Sequence, residues 1–226
     1  MEKQRKIKIV LWSTLGALLL VLIAAGVLFF TRGGGNRVYL SPSAQDHNLY
    51  AGMEVSERQS INALTDTLEP IIAQSRIVYA ADGAGTLESY IEQSNGLSDV
   101  VHLALHSNAT GREDSTTRGC EIYVRPGDWE SRRLANCIYD KLSALTPEAD
   151  RGVKTTSSLL ELNSVGHTAI LIEVDFHDND EGAAWITQHY EEIAQAIADG
   201  VEAYMRGEAR AESLKDTLKD LLRHIL

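Results

Sequence analysis

The sequence predicts an α/β fold: a three-layer sandwich with a mixed, largely parallel sheet and helices on both faces, preceded by one transmembrane helix. Two observations carry this reading. From Arg37 to Met205, short apolar runs alternate with longer stretches in which apolar residues recur every three or four positions, the pattern of strands separated by amphipathic helices. Ahead of them, Ile9 to Phe30 is a run of 22 residues without a charge, enough at ~1.5 Å per residue to cross a ~30 Å hydrocarbon core.

The N-terminal elements follow from charge and length. Lys3, Arg5, Lys6 and Lys8 precede the apolar run, and only Arg32 and Arg37 lie just after it. That excess keeps residues 1–8 in the cytoplasm as a basic stub and exports the remainder. Secretory h-regions are usually ~7–15 residues, so 9–30 reads as a retained signal anchor of a single-pass membrane protein. Residues 31–36 are a Gly-rich linker that reaches about 20 Å at ~3.5 Å per residue. The folded domain, 37–206, is therefore expected close to the outer membrane surface.

Within that domain Arg37–Leu40, Arg76–Tyr79, Asp99–Leu105, Cys120–Val124 and Thr168–Val174 read as strands. Val55–Ala73, Thr86–Asn95, Asp128–Leu145 and Asp180–Met205 read as helices; in the last, Ile186, Tyr190, Ile193, Ile197, Val201 and Tyr204 form one apolar face. A final amphipathic helix is expected over 207–226, where Leu214, Leu218, Leu221, Leu222 and Ile225 make a stripe. Such a stripe either docks on its own domain or, through residues 210–226, pairs with a partner helix or a second chain as a dimer.

Composition narrows the function classes. Of 226 residues, 44% are hydrophobic and 23% charged, which suits a globular chain. Beyond residue 30 there remain 17 basic against 31 acidic residues, a net charge of −14. A domain this acidic has no electrostatic footprint for nucleic acid. Cys120 and Cys137 fall in the exported part, where a disulfide can persist, but two buried free thiols fit the sequence equally well. Neither has the spacing of a zinc-binding pair.

Three segments hold residues suited to chemistry. Leu103-Ala104-Leu105-His106-Ser107-Asn108-Ala109 is an apolar strand ending in an imidazole. Ala169 to Asn179 contains an apolar strand interrupted by Glu173, and a glutamate there needs a partner or a site. Ser41 to Asn48 leaves the first strand and includes His47, with Glu57 following at the start of the first long helix. Singly, each has an ordinary explanation: a satisfied histidine, an edge glutamate, an acid favoured at a helix N-terminus. Together they supply two imidazoles and two carboxylates at the loop-facing ends of elements, the inventory of a catalytic zinc with an open position and a nearby base.

At these residues the chain resembles the zinc-dependent N-acetylmuramoyl-L-alanine amidases, over roughly Arg37 to Tyr204. The resemblance lies in His106-Ser107-Asn108-Ala109, Arg151-Gly152-Val153-Lys154, and Leu171-Ile172-Glu173 followed by Phe176 and Asn179. It implies a hydrolase of bacterial peptidoglycan that cuts between N-acetylmuramic acid and L-alanine. It also implies one Zn2+ per domain, with Glu57 and His106 as ligands and Glu173 as catalytic base. Glu57 is preferred to Glu54 because Leu64 and Leu68 follow it at the offsets of the family's apolar helix face. The family's first ligand sits in a Pro-Gly-His turn, which here reads Pro42-Ser43-Ala44, so His47 is taken as the remaining ligand. His102 shares a strand face with His106 but lies ~13 Å along it, too far to join the same zinc. His177 shares strand parity with Glu173 and is a candidate for the site wall. The ten residues Thr110–Gly119 are too short to hold the inhibitory helix that some relatives insert there. Two other readings are an inactive wall-binding or scaffold module of the same fold, and a zinc peptidase acting on the stem peptides.

Overall fold

The computed structural model describes residues 36–112, 114–146 and 151–207. The expected stub, the anchor 9–30, most of the linker and nearly all of the C-terminal helix lie outside the described residues. Among the described residues no helix is long and apolar enough to cross a membrane.

Six strands form one sheet: β1 (Arg37–Pro42), β2 (Ile77–Ala80), β3 (Val100–Asn108), β4 (Glu121–Val124), β5 (Val153–Thr155) and β6 (Ala169–Phe176). Their spatial order is β2-β1-β3-β6-β4-β5. All pairings are parallel except β4 against β6, so the sheet is mixed and largely parallel as expected. The helices are α1 (Glu57–Ile72), α2 (Leu87–Asn95), α3 (Trp129–Leu142), α4 (Leu160–Ser164), α5 (Asp180–Gln188) and α6 (Tyr190–Met205).

The two faces of the sheet are covered unequally. Alternate strand residues such as Leu40, Leu103, Leu105, Ile122 and Ile172 meet Leu64 and Leu68 of α1, Leu134 and Ile138 of α3, and Ile197 and Val201 of α6 in the main core. On the other face, among the described residues, the short helices α2 and α4 pack against Tyr39, Ala104 and Leu171. That thin cover leaves the far ends of the strands to polar side chains, and the site lies there. A parallel sheet collects sites at the carboxyl ends of its strands.

Two expectations are corrected. Asp180–Met205 is two helices, because His189 leaves helical geometry at φ −126°, ψ 31° while its Nδ1 bonds the Trp185 carbonyl at 2.8 Å. β5 and α4, of three and five residues, were not expected. Neither is long enough to display a period, and α4 has no side-chain N-cap to mark its start. Cys120 and Cys137 are buried free thiols.

Candidate active site

Local sequence fixes where each functional side chain starts. Ser56 is the N-cap of α1, in a reciprocal capping box with Gln59, and this makes Glu57 the first helical residue. The preceding loop is tied down by Glu57 N–H to the Asn48 carbonyl (2.7 Å) and Arg58 N–H to the Gln45 carbonyl (3.1 Å). Glu57 is thereby delivered, fully buried, against the end of β3.

The register of the sheet supplies the rest. His106 of β3 pairs with Glu173 of β6, and Glu173 pairs with Glu121 of β4. Paired residues on neighbouring strands project to the same face, so one imidazole and two carboxylates stand in a row across three strands. Glu57 Oε1 lies 2.9 Å from His106 Nδ1, and its Oε2 accepts from Asn48 Nδ2 at 2.8 Å. Glu173 Oε2 is buried with no hydrogen-bond partner among the described residues.

Glu161, which the sequence reading missed, completes the cluster from α4. Its Oε1 lies 2.9 Å from His102 Nε2 and accepts from Ser41 Oγ, and its Oε2 lies 3.5 Å from His106 Nε2. His102 continues inward to Ser94 Oγ at 2.9 Å, which also meets His167 Nε2 at 3.0 Å. His102 is therefore a buried support of the cluster, apart from the Glu57 side of the ring. His177 is turned away from it: its Nδ1 meets Ser107 Oγ at 2.9 Å and its ring stacks on Tyr50. Asn179 caps α5 and holds the Thr117 carbonyl, a structural role.

Charge in the cluster follows from burial against partners. Burial lowers the basicity of His106, but hydrogen bonds to Glu161 and Glu57 and the nearby Glu173 charge raise it to about 10. Burial pushes Glu161 up, and His102 and His106 more than reverse this, to about 2. Glu57 is likewise raised by burial and then brought below the ordinary carboxylate value, chiefly by His106. Glu173 has no such partner, and burial lifts it to about 7. A carboxylate raised to neutrality beside a cluster of fixed charges is suited to proton transfer near pH 7.

The fit of the cluster to zinc can be tested on these distances. Two ligands of a tetrahedral zinc, each at ~2.0–2.1 Å, stand ~3.3 Å apart, and Glu57 Oε1 and His106 Nδ1 at 2.9 Å are close to that edge. The third donor is not in place. His47 is exposed and makes no hydrogen bond or ion pair with a described residue, although its neighbour Asn48 touches Glu57. Asp46 pairs with Arg58 at 2.9 Å. Beside Ala44 there is a cavity of about 310 Å³, walled also by Gln45, Arg58, His106 and Glu161. Glu161 approaches the opposite ring nitrogen from Glu57, so the two carboxylates do not meet at one point. Among the described residues no three His, Cys, Asp or Glu side chains are grouped to hold a metal ion.

Comparison with known proteins agrees with this architecture. Residues 46–203 match the family model Amidase_3, described as N-acetylmuramoyl-L-alanine amidase. N-acetylmuramoyl-L-alanine amidase LytC of Bacillus subtilis is 24% identical over 186 residues, covering 76% of this chain and 36% of LytC. The catalytic domain of CwlV from Bacillus (Paenibacillus) polymyxa superposes with a TM-score of 0.67 at 21% identity, covering 74% of this chain and 97% of that one. CwlD amidase of Clostridioides difficile, solved in complex with the GerS lipoprotein, superposes at 0.64 with 20% identity, covering 74% and 97%.

Proposed function

Because the chain belongs to the N-acetylmuramoyl-L-alanine amidase family, we propose that it hydrolyses the amide between N-acetylmuramic acid and the L-alanine of peptidoglycan stems. The observation that carries this reading is Glu173 Oε2, without a hydrogen-bond partner among the described residues and set beside the Glu57–His106 pair by the β3–β6 register.

In this reading Glu173 is the base. Raised to about 7, it accepts a proton from the attacking water and returns it to the departing alanine nitrogen, which leaves only as an amine. Glu57, His106 and His47 are the proposed zinc ligands, with His47 required to turn inward from its exposed position. Zinc, when bound, supplies acidity to water and polarises a carbonyl. His106 would have to be deprotonated to hold a metal, so affinity should fall with acidity. Glu161 keeps hold of the other ring nitrogen and fixes the ring's orientation, as carboxylates commonly do for ligating histidines.

The domain is proposed to act outside the cell, tethered through 9–30, with 210–226 proposed either to dock on it or to pair with a partner helix or second chain. The exposed His47 favours one other reading, a wall-binding module of the same fold without turnover. Mass spectrometry of fragments released from purified sacculi separates the two. The amidase releases intact stem peptides beginning with L-alanine, stops with chelator, and loses at least ~10²-fold in rate on Glu173→Ala. Binding to sacculi without release supports the module, and internally cut stems indicate a peptidase.

A further inference from the structure

We propose that Arg151 and Lys154 form a subsite for a carboxylate of the stem peptide, on the departing side of the scissile amide. The proposal rests on the amidase reading and adds what the site selects.

The starting point is a local excess of positive charge. Glu121 is 2% exposed, and all of its acceptor capacity is taken. Its Oε1 accepts from Asn108 Nδ2 at 2.7 Å and from the Tyr123 hydroxyl, and its Oε2 accepts from Arg151 Nε at 2.7 Å and from Lys154 Nζ. Two cations thus meet one carboxylate. Neutralising Glu121 needs only one of them, and neither Arg151 nor Lys154 makes a hydrogen bond or ion pair with a second carboxylate among the described residues. Arg151 and Lys154 remain 26% and 38% exposed, open enough for an anion to reach them. Arg151 is also held in place, its guanidinium 4.6 Å from the centre of the Phe176 ring.

Position supplies the second half. Glu121 stands directly opposite Glu173 on the neighbouring strand, one inter-strand spacing of ~4.8 Å away on the same face. The cations lie beyond it, at the end of the Glu121 side chain. In N-acetylmuramoyl-L-alanyl-D-glutamate the glutamate α-carboxylate follows the scissile carbonyl by two residues, ~7 Å in an extended chain. A substrate carbonyl beside Glu173 therefore brings that carboxylate to Arg151 and Lys154. A fork and a mobile ammonium are well suited to grip it.

The subsite distinguishes stems ending this position in an acid from those ending it in an amide. Full-length protein in detergent would be assayed on N-acetylmuramoyl-L-alanyl-D-glutamate and on its D-isoglutamine counterpart. The expected result is a KM about tenfold lower for the acid, the scale of one charge-assisted hydrogen bond. Lys154→Gln should collapse the ratio of the two KM values to about one, with the change in KM rather than kcat, and Lys154→Arg should retain the preference. Equal KM values in the wild type, or an equal loss on both substrates in Lys154→Gln, overturns the proposal. Calorimetric binding of both dipeptides to Glu173→Gln gives the same comparison without turnover. Cleavage of neither substrate by zinc-loaded wild type removes the amidase reading itself, and this subsite with it.

Discussion

Replacing Glu173 by glutamine in the metal-free protein should stabilise the fold at pH 8 and leave it nearly unchanged at pH 4. Burial raises this carboxyl from 4.5 to about 7 in the folded state, so the fold favours its neutral form. The sign follows: below ~4.5 the group is protonated in both states and costs nothing. The penalty grows as pH rises through the interval and is complete above ~7. At about 1.4 kcal/mol per tenfold in proton affinity the ceiling is ~3.4 kcal/mol. Glu173 is partly exposed although its Oε2 is buried, and solvent screening reduces the figure to roughly 1–2 kcal/mol. Glutamine keeps the shape and removes the charge. For a domain of this size, melting temperature moves ~2–4 °C per kcal/mol, so the variant should melt roughly 3–6 °C higher at pH 8. Thermal unfolding by circular dichroism, after chelation, at both pH values is the assay. No shift at pH 8, or an equal shift at both, refutes the claim that an ionised Glu173 is held against its burial.

Two further outcomes test the site and the packing. On the proposed ligand set, His47→Ala should lose most of the zinc taken up by the wild type, whereas Asp46→Ala, whose carboxylate pairs with Arg58, should keep it; elemental analysis of both decides, and retention in His47→Ala withdraws His47 as a ligand. Gly200→Ala should lower stability by about 1–2 kcal/mol. The added Cβ would stand 2.4 Å from Ile138 Cα where α6 crosses α3, and overpacking of ~1–3 kcal/mol exceeds the up to ~1 kcal/mol of helix propensity gained. An unchanged denaturation midpoint would show that the two helices separate without cost.

What was legible in the sequence is what repeats. Strands and helices impose a period on side-chain direction, so the apolar faces of β1, β3, β6, α1 and α6 were readable, with the ends of the first four placed to within three residues and α6 run together with α5. Glu57, His106 and Glu173 were singled out as a group by the family resemblance, not by the period. Each sits at a fixed point of a regular element, and the sheet register then brings two of them side by side. Glu161 and its partner His102 were not readable as a pair. They lie 59 residues apart, and the element that carries Glu161 is a single turn with no cap. The only signal was physical: a histidine at position 102, inside an apolar strand, needs a buried partner, and an acid was the residue type to seek.

The first-ligand position shows where that legibility ends. Between Ser43 and Ser56 the chain has no repeating geometry. Its path is set by backbone bonds such as Tyr50 N–H to the Val55 carbonyl and by the Glu57 and Arg58 contacts to Asn48 and Gln45. In such a loop, moving a histidine three positions along the chain does not preserve its direction. Residue 47 points to solvent while residue 48 reaches Glu57. Residues 43–56 lie outside the sheet, whereas Glu57 and His106 are fixed by a capped helix and a paired strand. If zinc is held here, the rigid pair must define the site and the loop must adapt to it. Affinity should then be set largely by how much of residues 43–56 has to reorder.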